Sequence, residues 1–356
     1  MTSSAAISII SLNKRADPGS ITIASQHPTR YAEIGHAIEA AVGQRIAGQT
    51  ELIRHTIVGL LAEGHVLLEG VPGLGKTELV KALAAAVGVS FGRVQFTPDL
   101  MPADIVGTQI LEEGHDGRRQ FEYRPGPVFA NLILADEINR ATPKTQSALL
   151  EAMQERAVTV AGQTRPLPRP FLVMATQNPI ELEGTYPLPE AQLDRFMLKV
   201  RVPVPDVDTL NEILNRTTGG TVPDVPQAAN KELISQMIGV TPRVPIASHL
   251  VRYVSALIAA THPEGDTAPP EVTRYVRWGA SPRGGQSIVL AAKAQALLQG
   301  NPNVSAEEIR WAVPAALRHR IVLGYEAVAD GVDPDRILAS VLAAVPEPKA
   351  ALRGAP

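Results

Sequence analysis

HVLLEGVPGLGKT, residues 65–77, decides how the rest of the chain is read. It opens on residues 65–68, a short apolar run of the kind that forms a buried strand, turns through glycines, and gives way to a helical pattern over residues 78–86. Gly70-Val71-Pro72-Gly73-Leu74-Gly75-Lys76-Thr77 fits G-x4-G-K-[ST], the spacing of a phosphate-cradling loop. Glycines let backbone N–H groups curl around phosphates, and the N-terminus of the following helix adds partial positive charge. Lys76 is then expected to reach the β- and γ-phosphates, and Thr77 to offer its hydroxyl to Mg²⁺. An ordinary glycine-rich turn between strand and helix is the alternative.

A loop of this kind needs an acidic partner at the tip of a second strand. Leu132-Ile133-Leu134-Ala135-Asp136-Glu137 supplies one sixty residues after Lys76. Asp136 is expected to hold Mg²⁺ through water, and Glu137 to polarise an attacking water as general base. Further strands are expected at residues 93–96, 171–175 and 196–202. The runs around Leu132 and Phe171 are continuously apolar, as in a parallel sheet covered on both faces. Between them a helix begins with Thr142 as cap and Pro143 in the first turn. Upstream, residues 31–62 carry apolar positions at helical spacing, read as two helices broken around residues 43–48. These elements make an α/β core with a five-stranded parallel sheet, residues 31–205.

Beyond Pro205 the pattern changes. Residues 206–230 read as a linker, and 217–229 and 261–270 as loops rich in Thr, Gly and Pro. Helical segments are expected at 231–238, 247–260, 284–299, 306–320 and 335–344, with Ser305 and Glu308 forming a capping box. Residues 231–345 thus form a smaller all-helical domain. Residues 1–30 and 346–356 read as tails, and no internal repeat is evident. Two stretches exceed what a minimal sheet needs: residues 97–127, with a hairpin expected around 114–117, and residues 157–166, a second hairpin.

Composition narrows the function classes. The 356 residues suggest two domains plus tails, and 45% hydrophobic with 19% charged residues describe a globular chain. A formal charge of −3 without a polybasic run gives no sign of nucleic acid or anionic lipid as partner. Zero cysteines exclude disulfides, thiol nucleophiles and cysteine-ligated metals, and the eight histidines form no His-Glu-x-x-His spacing. No apolar stretch approaches the roughly 18 residues of a membrane span, and the first residues lack the basic start of a secretory signal. The expectation is a cytoplasmic protein without a transmembrane segment.

The motifs together resemble the MoxR family of AAA+ ATPases. Beside residues 65–77, the similar segments are 95–107 (QFTPDLMPADIVG), 126–141 (GPVFANLILADEINRA), 146–155 (QSALLEAMQE), 171–181 (FLVMATQNPIE), 190–198 (EAQLDRFML), 280–292 (ASPRGGQSIVLAA) and 317–321 (LRHRI). The resemblance implies an AAA+ core with a helical lid, binding ATP and Mg²⁺ and working as a homo-oligomeric ring, in the usual case a hexamer. It assigns Asn178 as the sensor-1 residue near the lytic water. It assigns Arg195 as an arginine finger reaching a neighbour's site, the alternative being a surface arginine paired with Asp194. Arg283, at the start of a lid helix, resembles the sensor-2 residue that reports the γ-phosphate to the lid. For adenine the family's Gly-Gln is offered twice, at Gly43-Gln44 and Gly48-Gln49, and spacing favours Gly48 and Gln49. The inserts correspond to hairpins facing the pore of the ring. The implied output is chaperone-like maturation or remodelling of partner complexes, including metal or cofactor insertion, with von Willebrand factor A-domain proteins. A nucleic-acid motor on the same core is the alternative from another class, and a nucleotide-binding scaffold without hydrolysis a third.

Overall fold

The computed structural model describes residues 28–113, 119–179, 184–219 and 224–348. The N-terminal tail up to 27, the turn of the first hairpin, residues 220–223 of the linker and the C-terminal tail from 349 lie outside the described residues. Two helices, α1 (Pro28–Gly43) and α2 (Thr50–Leu61), lead into β1 (Val66–Glu69), and the glycine loop then runs into α3 (Lys76–Ala86). After β2 (Phe91–Gln95) come α4 (Pro102–Val106) and the hairpin β3 (Gly107–Glu113) and β4 (Arg119–Pro125). Next are β5 (Leu132–Asp136), α5 (Pro143–Glu155), the hairpin β6 (Ala157–Val160) and β7 (Gln163–Pro166), β8 (Leu172–Gln177), α6 (Glu190–Leu193) and β9 (Leu198–Arg201). Thr142 stands at the cap of α5 with Pro143 after it, but its side chain accepts no N–H from the first turn, so only part of the expected cap is made.

β1, β2, β5, β8 and β9 form one parallel sheet in the order β2-β5-β8-β1-β9. Register explains where a site must lie. Glu69 pairs with Gln177 and Gln95 with Asp136, so the carboxyl ends of four strands finish together, which is where open α/β sheets bind ligands. The apolar runs serve both faces by alternation. Leu132 and Leu134 join the hydrophobic cluster on one side, whereas Ile133 and Ala135 join the second cluster on the other.

The chain continues through α7 (Val207–Thr218), α8 (Lys231–Val240), α9 (Ser248–Ala259), α10 (Pro270–Tyr275), β10 (Val276–Trp278), α11 (Pro282–Gln299), α12 (Ala306–Leu317), β11 (Val322–Leu323), α13 (Tyr325–Ala329) and α14 (Pro334–Ala344). Three features differ from the sequence-based expectation. The segment 206–230 begins with a helix, capped by Asp206, whose carboxylate accepts the Thr209 N–H at 2.8 Å. Most of the loop at 261–270 stands, but Pro270 opens α10. The lid contains a two-stranded antiparallel ribbon, β10 with β11, among its helices. The capping box of α12 is present, with Ser305 N–H on Glu308 at 2.7 Å.

Core and lid are not separately packed. The first hydrophobic cluster runs from α1 through one face of the sheet into α8–α14. Gly35 lies at a close contact between α1 and α11: a Cβ there would fall 2.5 Å from Leu298 Cδ2, so a side chain at this position requires Leu298 to change its rotamer. Polar bonds finish the junction. Trp311 stacks on His55 at 4.2 Å and donates to Glu51 at 2.9 Å, and Arg318 donates to the Lys199 carbonyl at 2.8 Å.

Candidate nucleotide site and an arginine cavity

β1 ends at Glu69, and the loop after it is bent by Gly73 (φ +84°) and Gly75 (φ +76°), conformations that glycine adopts without strain. Gly70 is required for a different reason, since a Cβ there would lie 2.9 Å from Val202 Cβ on the strap after β9. Lys76 turns back over the loop, its Nζ donating to the Gly70 carbonyl at 2.5 Å. Partial burial pulls its pKa down, while the nearby carboxylates of Asp136 and Glu137 act in the opposite direction. A half-buried ammonium whose named acceptor is one carbonyl is suited to an incoming anion.

The acidic pair sits directly opposite. Asp136 ends β5, accepting from Thr176 Oγ1 at 2.7 Å and from Arg93 at 2.8 Å. Glu137 takes a left-handed backbone (φ +57°, ψ +50°), unfavourable for a residue with a Cβ and sustained by its surroundings: its N–H donates to Thr176 Oγ1 at 2.8 Å. The Glu137 carboxylate is held by Gln95 Nε2 at 2.9 Å and Arg140 Nε at 3.1 Å. Lys76, Thr77, Asp136, Glu137 and the buried Asn178, which follows β8, line one chamber of about 160 Å³ together with Pro72, Gly73 and Gly75. Five of the residues singled out for chemistry therefore meet in one place. The oxygen donors of Thr77 and Asp136 are of the hard type that Mg²⁺ prefers, so these two residues fit the ion. Among the described residues no group of three or more His, Cys, Asp or Glu is placed to hold a metal ion by itself.

Beside it, sharing Gly73, Gly75 and Glu78, opens a larger and more apolar cavity of about 450 Å³. Both expected glutamines line it, Gln44 and Gln49, with Ile46, Ala47 and Leu74; the Gln49 amide lies 3.5 Å from the Leu74 carbonyl. Gly48 does not line the cavity. Its φ of +66° turns the chain, and a Cβ would strike Thr209 at 2.5 Å, so its role is to let α7 approach. Val71 lines neither chamber. The far wall is α7, through Leu210, Ile213, Arg216 and Thr217, with Arg216 donating to the carbonyls of Gly43 at 2.8 Å and Gln44 at 2.7 Å. These residues were missed in the sequence, although Asp206 and the apolar positions 207, 210, 213 and 214 carried a helix signal.

Arg195 and Arg283 are not at this site. They line a separate cavity of about 260 Å³ with Arg156 and Arg320, between β1, α5 and the start of α11. Asp194 does not pair with Arg195; it accepts from Arg320 Nε at 2.6 Å, and Arg283 stands 3.8 Å from its other oxygen. Arg320 is almost wholly buried and donates further to the carbonyls of Met197 (3.1 Å), Asp194 (3.0 Å) and Phe196 (2.8 Å). Arg283, expected to report the γ-phosphate to the lid, lines the cavity with Arg195 and not the phosphate chamber of the same chain. The side chain of Arg195 makes no hydrogen bond or ion pair among the described residues.

The two inserts form hairpins. Leu111 pairs with Phe121 across β3 and β4, and both are exposed, 52% and 71%. Arg165 of the second hairpin lies over the Tyr123 ring of the first, 3.9 Å from its centroid, so the two hairpins touch.

Residues 65–198 match the ATPase family associated with various cellular activities (AAA), and residues 271–341 match the AAA lid domain. The chain is 45% identical over 317 residues to the protein called Chaperone MoxR1 from Mycobacterium tuberculosis, covering 88% of this chain and 83% of that one. It is 32% identical over 349 residues to Protein MoxR from Methylorubrum extorquens, covering 90% and 97%. In three dimensions it resembles a crystal structure of a protein from Cytophaga hutchinsonii with a TM-score of 0.86 and 39% identity, covering 93% of this chain and 99% of that one.

Proposed function

The chain belongs to the MoxR family of AAA+ ATPases, and on that premise we propose that it hydrolyses ATP with Mg²⁺ at a site completed by a second copy of itself. One observation carries the reading: the loop, acidic pair and Asn178 meet in one chamber, whereas Arg195 and Arg283 face another cavity. A chain with both halves on different surfaces completes a site by head-to-tail contact, and repetition of that contact closes a ring, which we take to be a hexamer. The adenine fits the apolar cavity beside Gln49 and α7, and the phosphates the chamber above Lys76. Mg²⁺, when bound by Thr77 and Asp136, supplies charge neutralisation at the β- and γ-phosphates. Glu137 accepts a proton from the attacking water, Asn178 orients that water or the γ-phosphate, and the partner copy's Arg195 and Arg283 stabilise charge developing in the transition state.

The work done is proposed to be chaperone-like remodelling of partner proteins in the cytoplasm, in the style of metal or cofactor insertion and together with a von Willebrand factor A-domain protein. The exposed Leu111 and Phe121 offer an apolar grip, and the charges beside them are near balance, Glu112, Glu113 and Glu122 against Arg119 and Arg124 with Arg124 paired to Glu112 at 2.6 Å, which gives no basic face for a nucleic-acid backbone. Because the lid is fastened to its own core through Arg320 and the shared hydrophobic cluster, motion is expected between copies. Glu137→Gln should bind ATP and accumulate as a ring seen by light scattering. Lys76→Ala subunits mixed with Arg195→Ala subunits should recover hydrolysis that neither has alone; wild-type turnover by Glu137→Gln, or no recovery in the mixture, overturns the assignment.

A further inference from the structure

We infer that the ribbon strand β10 of one copy, through Trp278 and Arg277, packs on the exposed stripe of α7 of the next copy, so that the outer wall of the adenine cavity is itself part of the interface between subunits. This rests on the shared-site reading above. α7 is the first observation: none of its twelve residues is buried, yet Val207 (82% exposed), Leu210 (46%) and Leu214 (52%) fall on one stripe at i, i+3 and i+7. A helix of this length draws little stability from its own hydrogen bonds, and an apolar stripe left in water contributes none. Trp278 is the second observation. It is 59% exposed, one of only two tryptophans, and follows an exposed Arg277 that makes no ion pair among the described residues.

Position and charge select a second copy as the occupant. Trp278 and Arg277 line a cavity of about 410 Å³ that shares Asp194 and Arg320 with the cavity holding Arg195 and Arg283. α7 lines the cavity that shares Gly73 and Gly75 with the phosphate chamber. When Arg195 of one copy meets the phosphate chamber of another, the flanks of the two regions are carried toward each other. The flank on α7 begins with Asp206 and Asp208, both exposed, and the flank on β10 offers Arg277. Aromatic and arginine side chains of this kind are the usual energetic centres of protein interfaces.

The chain has no cysteine, which makes the test clean. Full-length Leu214→Cys and Trp278→Cys proteins, each also carrying Glu137→Gln and loaded with ATP and Mg²⁺, are mixed and treated with a short bismaleimide. A cross-linked dimer is expected in the mixture and in neither protein alone. Independently, Trp278→Asp should raise the protein concentration for half-maximal assembly by about tenfold or more. If Lys76→Ala and Arg195→Ala subunits complement each other but no cross-link forms and Trp278→Asp assembles normally, this inference is wrong while the shared site stands. If complementation also fails, both fall.

Discussion

The phosphate chamber is lined by one cation, Lys76, and three carboxylates, Glu78, Asp136 and Glu137; the cavity at the lid is lined by four arginines and two carboxylates, Glu63 and Asp194. Under the proposed assignment, the first would bind and attack a phosphoanhydride but holds few cations to balance the charge that builds in the transition state. The second has cations in excess, two of them, Arg156 and Arg320, already held by Glu63 and Asp194. What remains is Arg195, with Arg283 held only by a long contact, 3.8 Å, to the second oxygen of Asp194. This contrast is what the proposed shared site rests on: the fold of one chain is complete, while each cavity holds only part of the charge that the proposed hydrolysis would use.

The largest effect should come from removing the cation that the first region lacks. Arg195→Ala is expected to lower kcat by about 10³- to 10⁵-fold, with nucleotide affinity of the separated subunit nearly unchanged. Arg283→Ala should act in the same direction. Steady-state hydrolysis beside binding of a fluorescent ATP analogue checks this, and a fall of less than about threefold for Arg195→Ala would break the comparison.

Next in size is the fastening of the second region. Asp194→Ala leaves the buried Arg320 without its counter-ion, and removal of one partner from such a pair typically costs about 3–5 kcal/mol. Chemical denaturation should show that loss, with Asp194→Asn milder because its amide oxygen still accepts from Arg320. Equal stability of Asp194→Ala and wild type would mean that the clasp between core and lid is not what sets the arginines in place.

In the first region a smaller effect tests the wall contributed by α7. Ile213→Asp places a charge against the apolar cavity and should raise the KM for ATP by about tenfold to a hundredfold, with less change in kcat. Unaltered KM would remove adenine from this cavity.

The two regions were unequally legible in the sequence. The loop, Asp136 and Glu137 could be read because each lies at a strand end within a short stretch, where spacing dictates placement. Register then brings them together, Gln95 beside Asp136 and Glu69 beside Gln177. The arginine region depends on contacts between distant segments: Asp194 finds Arg320 across 126 positions, not its neighbour Arg195. Nothing in local pattern distinguishes those two pairings. Arg283 could be given a role only by resemblance, because no local pattern says where a lid docks, and docking rests on contacts between distant segments such as Gly35 against Leu298. α7 was hidden by composition, since its polar and exposed residues resemble a linker until the Asp206 cap is noticed.

His65 gives the smallest effect and bears on why the second region stops at four cations. It lines the arginine cavity yet is fully buried. Nε2 lies 3.0 Å from the Met153 carbonyl, an acceptor, and Nδ1 accepts the Val173 N–H at 3.0 Å, which fixes one neutral tautomer. Burial, with Arg156 adding to it, lowers its pKa to about 4 from an ordinary 6.5. The folded state therefore refuses a proton that the unfolded state takes up. The resulting stability is complete above pH 6.5 and is lost, at about 1.4 kcal/mol per pH unit, as pH falls from 6.5 toward 4. His319, also buried and shifted downward, adds a slope of the same sign. His65→Gln cannot titrate and keeps an amide for the Met153 carbonyl, so its stability measured by denaturant between pH 6.5 and 4.5 should fall less steeply than wild type by about that amount. Parallel slopes would show that the fold leaves the His65 pKa at its ordinary value, so that below pH 6.5 it becomes a fifth cation in the cavity and changes the charge contrast drawn between the two regions.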